Sequence, residues 1–170
     1  MKKALSFDDV LLVPQYSDIA SRTEVDTSVS MRALREFELP IISSPMDTVT
    51  SEEMAKAICE SGGVGVLHRY NTIEEQASMV MGITSCGYDV GAAIGVGDGF
   101  LERATALASS GVSFLCVDVA HGHHSSVKSA LERLRDTFGD TMHIMAGNVA
   151  TLQAFNDLAD WGADSIRVGI

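Results

Sequence analysis

Along the 170-residue chain, short apolar runs alternate with amphipathic stretches that open on helix-start signals. From Leu39 this alternation becomes a cycle. The run IISSPM is followed by Thr50-Ser51-Glu52-Glu53, a capping box in which Thr50 accepts from the Glu53 amide, and the helix it opens is predicted to reach about Glu60. Ser61-Gly62-Gly63 stops it. VGVLH is the next strand, and Thr72-Ile73-Glu74-Glu75 is a second capping box opening a helix through about Ile83. DVGAAIGV predicts another strand, with Asp98 in Gly97-Asp98-Gly99 as the N-cap of a helix from about Phe100 to Ser109. SFLCVDV then leads through a histidine loop into a helix near Ser126 to Phe138. HIMAGN, a helix from about Thr151 to Ala159, and SIRVGI complete a series of six strands and five helices.

Strand starts recur every ~20 to 30 residues, the spacing of βα units with short loops. Such alternation implies a parallel sheet with right-handed crossovers, either a closed barrel or an open doubly wound sheet. Nearly every strand here ends in polar or glycine residues, which a barrel mouth explains and a single switch point does not. The fold class read from the chain is therefore α/β, a TIM (β/α)8 barrel that is incomplete, with about six βα units. Residues 4–13 read as a short strand or extended arm ending at Pro14, followed by a polar, turn-rich stretch through Ser30. This divides one truncated barrel domain, residues 1–170, into an N-terminal arm at 1–38 and βα units at 39–170. Asp8 and Asp9 read as turn caps rather than as a site.

Composition narrows the picture. At 46% hydrophobic residues the chain can bury a large core. Twelve Lys and Arg against 23 Asp and Glu give a net charge of −11, which repels nucleic acid and anionic membranes. A small anion could still bind at a helix start, where the backbone field is positive. Cys59, Cys86 and Cys116 form an odd set without CxxC spacing, which fits a reducing, cytoplasmic compartment. No signal peptide is read at the N-terminus, and no apolar run approaches the ~20 residues that span a bilayer.

The candidate chemistry gathers around Ser113 to His124, where an apolar run ends in Asp118. A carboxylate directly after Leu115-Cys116-Val117 needs a polar partner at the strand end, so Asp118 is the leading site candidate. Ser43 and Ser44 end another strand; their hydroxyls either reach a ligand or hold a turn. His68 and Arg69 end the second, and this arginine either pairs with phosphate, stacks on a ring or is solvated. Gly91, Gly95, Gly97 and Gly99 either admit a flat ligand or serve turns. His121, His123 and His124 lack a carboxylate or thiolate at ligand spacing and read as loop packing, with no metal site. Cys116 reads as core. Gly62-Gly63-Val64-Gly65 precedes its strand, which excludes a dinucleotide fingerprint.

In this order, FDDVLLVP, SSPMDTVT, GGVGVLHR, DVGAAIGV, DVAHGH, AGNVAT and GADSIRVGI resemble the IMP dehydrogenase and GMP reductase family of purine nucleotide oxidoreductases, over essentially the whole chain. The resemblance implies a (β/α)8 barrel that binds a purine nucleotide, IMP or GMP, and uses NAD, or NADP in the reductase. Substrate contacts would come from Ser44, Met46 and Arg167, and cofactor contacts from Asp118, Asn148, Gly169 and Arg69. A homo-oligomer is implied, and a monovalent cation in the full-length relative.

Two departures go with it. The second helix lacks the inserted nucleotide-sensing module usual in the dehydrogenases, since Glu75 to Asp89 runs straight into a strand. The family's cysteine nucleophile, phosphate loop and flap fall beyond Ile170, and none of the three cysteines matches the nucleophile. The expectation is IMP oxidation to XMP by the full-length relative, with GMP reductase as the alternative and the chain alone inactive. A non-catalytic nucleotide-binding or interaction protein, and more remotely a flavin-binding barrel oxidase, are the readings from other classes.

Overall fold

A computed structural model describes residues 5–32 and 34–169. Ala4, at the start of the expected arm, and Ile170, at the end of the last expected strand, lie outside them. Val29–Ser30 (β1) pairs antiparallel with Glu36–Phe37 (β2). The main sheet has six parallel strands in sequence order: Ile42–Ser43 (β3), Val64–Leu67 (β4), Val90–Ile94 (β5), Phe114–Asp118 (β6), His143–Val149 (β7) and Ser165–Val168 (β8). Between them run Glu52–Glu60 (α1), Ile73–Thr84 (α2), Phe100–Ser109 (α3), Ser125–Phe138 (α4) and Leu152–Asp160 (α5). Residues of the two outermost strands, Ile42 on β3 and Arg167 on β8, line one common cavity, so the sheet is curled.

The period-2 alternation of strand side chains builds two cores. Outward residues such as Leu67, Ile94, Leu115, Val117 and Ile144 pack against the helices in the larger core. Inward residues Val64, Val66, Phe114, Cys116 and Met145 form a second cluster, which Phe37 of the hairpin completes. Gly91 faces inward and makes room for this cluster. A Cβ there would stand 2.3 Å from the Phe114 ring, so Gly91 serves packing and not the approach of a ligand.

The hairpin stoppers the N-terminal end of the sheet. The Arg32 carbonyl meets Nδ1 of His143, the first residue of β7, at 2.9 Å. Arg32 Nη1 pairs with Asp164, just before β8, at 2.8 Å, and Arg35 pairs with Asp89, just before β5. Asp164 is held by three groups, since it also accepts from the Ile144 amide and pairs with Arg135. Burial alone would raise its pKa, but the amide and the guanidinium outweigh it, and the carboxyl lies below its ordinary value.

Several expectations are corrected. Residues 5–13 form no strand; Ser6 and Asp9 instead close a 3-10 turn at Phe7–Asp9, so Asp9 is the turn cap expected of it. The polar stretch before the barrel contains β1, half of the hairpin, which two-residue strands do not announce in sequence. IISSPM contributes strand only at Ile42–Ser43. Thr50 does not cap α1; Ser51 does, accepting from the Met54 amide at 3.3 Å. Thr50 is fully buried, and its hydroxyl donates to the Ser44 carbonyl and lies 3.0 Å from Ser43 Oγ. Asp98 does not cap α3 either: the N-cap is Gly99, with φ +79° and no side-chain cap. The Thr72–Glu75 capping box on α2 is present in both directions.

Candidate active site

Register brings three strand ends level. Asp118 of β6 stands beside Gly147 of β7, and Gly147 beside Arg167 of β8. Asp118 Oδ1 and Arg167 Nη1 meet at 2.5 Å, both side chains partly buried. This ion pair is the polar partner that Asp118 requires at the end of an apolar strand. A Cβ on Gly147 would fall 2.6 Å from Arg167 Cβ, so the close approach of the two strands at this level requires glycine. Cys116, two residues before Asp118 on the same face, is fully buried beneath the pair. Burial pushes its thiol up to about 12, against the smaller pull of Arg167, so it stays protonated and unreactive at neutral pH.

Arg167 also lines a cavity of about 560 Å³ together with Ser44 and Asn148, over an apolar lining that includes Val66 and Met145. Of the residues named from sequence, Ser44, Asn148, Asp118 and Arg167 thus come together at the C-terminal end of the sheet. Met46, in the β3–α1 loop, is half exposed and is not part of that lining. Gly169 lines a different cleft, with Phe7 and Val10 of the arm. Arg69 lines a separate, smaller cavity with Gly95 and Arg103.

Two of the three loop histidines have partners within the chain. His124 caps α4 by accepting from the Ser126 amide, and His123 pairs with Asp157 at 2.8 Å while stacking on Trp161. Among the described residues no three His, Cys, Asp or Glu side chains are grouped to hold a metal ion. No helix of the described residues is long and apolar enough to cross a membrane.

The profile of the IMP dehydrogenase / GMP reductase domain matches residues 4–170. The chain belongs to this family. A GMP reductase of Mesoplasma florum is 32% identical over 98% of this chain and 52% of its own length. An inosine-5'-monophosphate dehydrogenase of Nitrosopumilus maritimus is 25% identical, with 99% of this chain and 61% of that relative covered. The crystal structure of inosine 5' monophosphate dehydrogenase from Legionella pneumophila superimposes with a TM-score of 0.86 and 43% identity, over 99% of this chain and 51% of that one. The fold is accordingly the expected incomplete TIM barrel. The chain spans about half the length of two of these relatives and three fifths of the third.

Sequence reading gave Thr50 only the role of a helix cap and missed Gln76 and Arg103. Gln76 is fully buried, donating to the carbonyls of His68 (3.0 Å) and Ala93 (2.9 Å) and accepting from Arg103 at 2.7 Å. It joins the end of β4 to β5 and thereby fixes the loop carrying His68 and Arg69. A signal was available, since Gln76 shares the i, i+4, i+7 face of α2 with Val80 and Ile83, where a polar residue requires partners.

Proposed function

We propose that the chain is nucleotide-binding barrel of an IMP dehydrogenase, the full protein oxidising IMP to XMP with NAD. The observation that carries the reading is the Asp118–Arg167 pair at the rim of a cavity that Ser44 and Asn148 also line. At about 560 Å³ the cavity lies within the usual range for small-ligand sites, about 300–1,000 Å³. Its donor set suits a purine nucleotide beside a nicotinamide. Val66 and Met145 offer an apolar wall for flat rings, Asn148 an amide for ring or carboxamide edges, and Ser44 a hydroxyl for the nucleotide. Arg167 holds the Asp118 carboxylate in place, so that it accepts from ribose hydroxyls. Arg69, Gly169 and Met46 remain flanking contacts in this reading. The bound dinucleotide would supply the hydride acceptor.

A reductase acting on GMP with NADPH is the second reading. It is favoured by α2, which runs without insertion from Ile73 to Thr84 and on into β5. The alignment to the Nitrosopumilus dehydrogenase stretches over 293 residues, whereas that to the Mesoplasma reductase needs 169. Calorimetric titration with IMP and GMP, each with NAD or NADPH, separates the two. A ternary complex with IMP and NAD supports the dehydrogenase, and one with GMP and NADPH supports the reductase. Absence of binding by either nucleotide overturns both.

A further inference from the structure

Asn148 lines the cavity from a point where both strand ladders of β7 give out. On one side β6 ends at Asp118, level with Gly147. On the other the register with β8 skips Asn148, since Gly147 pairs with Arg167 and Val149 with Val168. The β6–α4 loop takes over the hydrogen bonding. Val119 donates to the Gly147 carbonyl and accepts from the Asn148 amide, both at 3.0 Å, and the Gly122 amide donates to the Asn148 carbonyl at 2.7 Å. Both peptide groups flanking the Asn148 Cα are thereby fixed, and with them the direction of its side chain. Gly122 is buried and its approach admits no side chain, because a Cβ there would stand 2.8 Å from the Asn148 carbonyl oxygen.

The next residue anchors this loop. His123 Nε2 donates to Asp157 Oδ2 at 2.8 Å, since an ionised carboxylate only accepts, and the imidazole stacks on Trp161 with 5.7 Å between ring centroids and 26° between planes. Asp157 in α5 and Trp161 at its C-cap lie one helical turn apart and so present one face to the loop. We propose that His123, gripped by Asp157 and Trp161, is a positioning residue of the candidate site, holding Gly122 against the Asn148 carbonyl and so aiming the Asn148 amide into the cavity. The ligand that this amide meets rests on the nucleotide reading above; the grip itself does not. The His123 and Asp157 side chains are 32% and 34% exposed, so a substitution at either opens no cavity in the core.

Calorimetric titration of the 170-residue chain with IMP and with GMP tests this on Asp157→Ala, which removes the acceptor, and on Asp157→Asn, whose amide oxygen keeps one. Asp157→Ala should weaken nucleotide binding about five- to tenfold, as the loss of one hydrogen bond does, and Asp157→Asn should restore most of it. In an Asn148→Ala background the same Asp157→Ala change should cost less than about twofold, because a residue that acts through Asn148 has nothing left to aim. An equal loss in both backgrounds, no loss in either, or no rescue by asparagine overturns the proposal. Hydrogen exchange of the ligand-free chain gives a readout independent of any nucleotide. Asp157→Ala should deprotect the Gly122 amide and Asp157→Asn should not, while the amides of β6 keep their protection in both. Unchanged protection at Gly122, or an equal loss along β6, also overturns the proposal. If neither nucleotide binds the unaltered chain, the nucleotide reading fails and the exchange result alone decides the grip.

Discussion

Arg167 reaches Asp118 across an intervening strand. Their nitrogen and oxygen are 2.5 Å apart although β7 runs between β6 and β8, because the β7 residue level with both is Gly147. Neighbouring strands are about 4.8 Å apart, so two spacings are bridged by one long side chain laid over a residue that has none. The rim of the site is thus a property of three strands at once.

Gly147→Ala should break this arrangement. The new methyl would stand 2.6 Å from Arg167 Cβ and 2.7 Å from its carbonyl oxygen, and backbone cannot move aside as a side-chain tip can. Overpacking of this kind costs about 1–3 kcal/mol. Chemical denaturation should register that loss, and IMP affinity should fall with it. An unchanged midpoint would mean that β8 moves freely.

The thiols should differ in reactivity by position. Cys86 is exposed, Cys59 is partly buried with its pKa raised first by desolvation, and Cys116 is buried and raised to about 12. Iodoacetamide at pH 8 should modify Cys86 first, Cys59 more slowly, and Cys116 only on unfolding. Peptide mapping by mass spectrometry gives the order.

Acid should weaken the stoppered end before the rest. Burial, only partly offset by the Arg32 carbonyl, lowers the pKa of His143 from its ordinary 6.5. The unfolded chain therefore binds this proton more readily, and the stability due to neutral His143 is complete above 6.5 and lost as pH falls through the folded value. Asp164, also lowered, adds a second loss below its ordinary 3.8. Melting temperature against pH should decline in these two windows, and His143→Gln should remove the upper one.

How much of this was legible depended on the range of the interaction. The Thr72–Glu75 box lies within one helical turn, and sequence sufficed. Thr50 and Asp98 have the right residue types beside a helix start, yet neither caps it. Thr50 turns inward and is taken by the Ser44 carbonyl, and the N-cap of α3 falls one residue later, at Gly99. Asp118 was readable as a carboxylate in need of a partner, but Arg167 lies 49 residues on, and only the strand register joins them. Arg103 gave no signal, because an arginine in the first turn of an amphipathic helix ordinarily faces water.

Self-association is the expectation for the arm. Leu11, Leu12 and Tyr16 are 94%, 98% and 94% exposed, and an apolar strip this bare favours contact with a second copy. Light scattering should show mass rising with concentration, and Leu11→Ser with Leu12→Ser should reduce it. A concentration-independent monomer would refute this.

The hairpin that plugs the sheet has a kinetic corollary. With Phe37 seated among Val64, Val66 and Phe114, and Arg32 tied to β7, traffic through the N-terminal end is blocked. What binds in the cavity is left with the C-terminal rim and the unpaired side between β3 and β8 as its ways in, so association rates should depend on those two openings and not on the hairpin end.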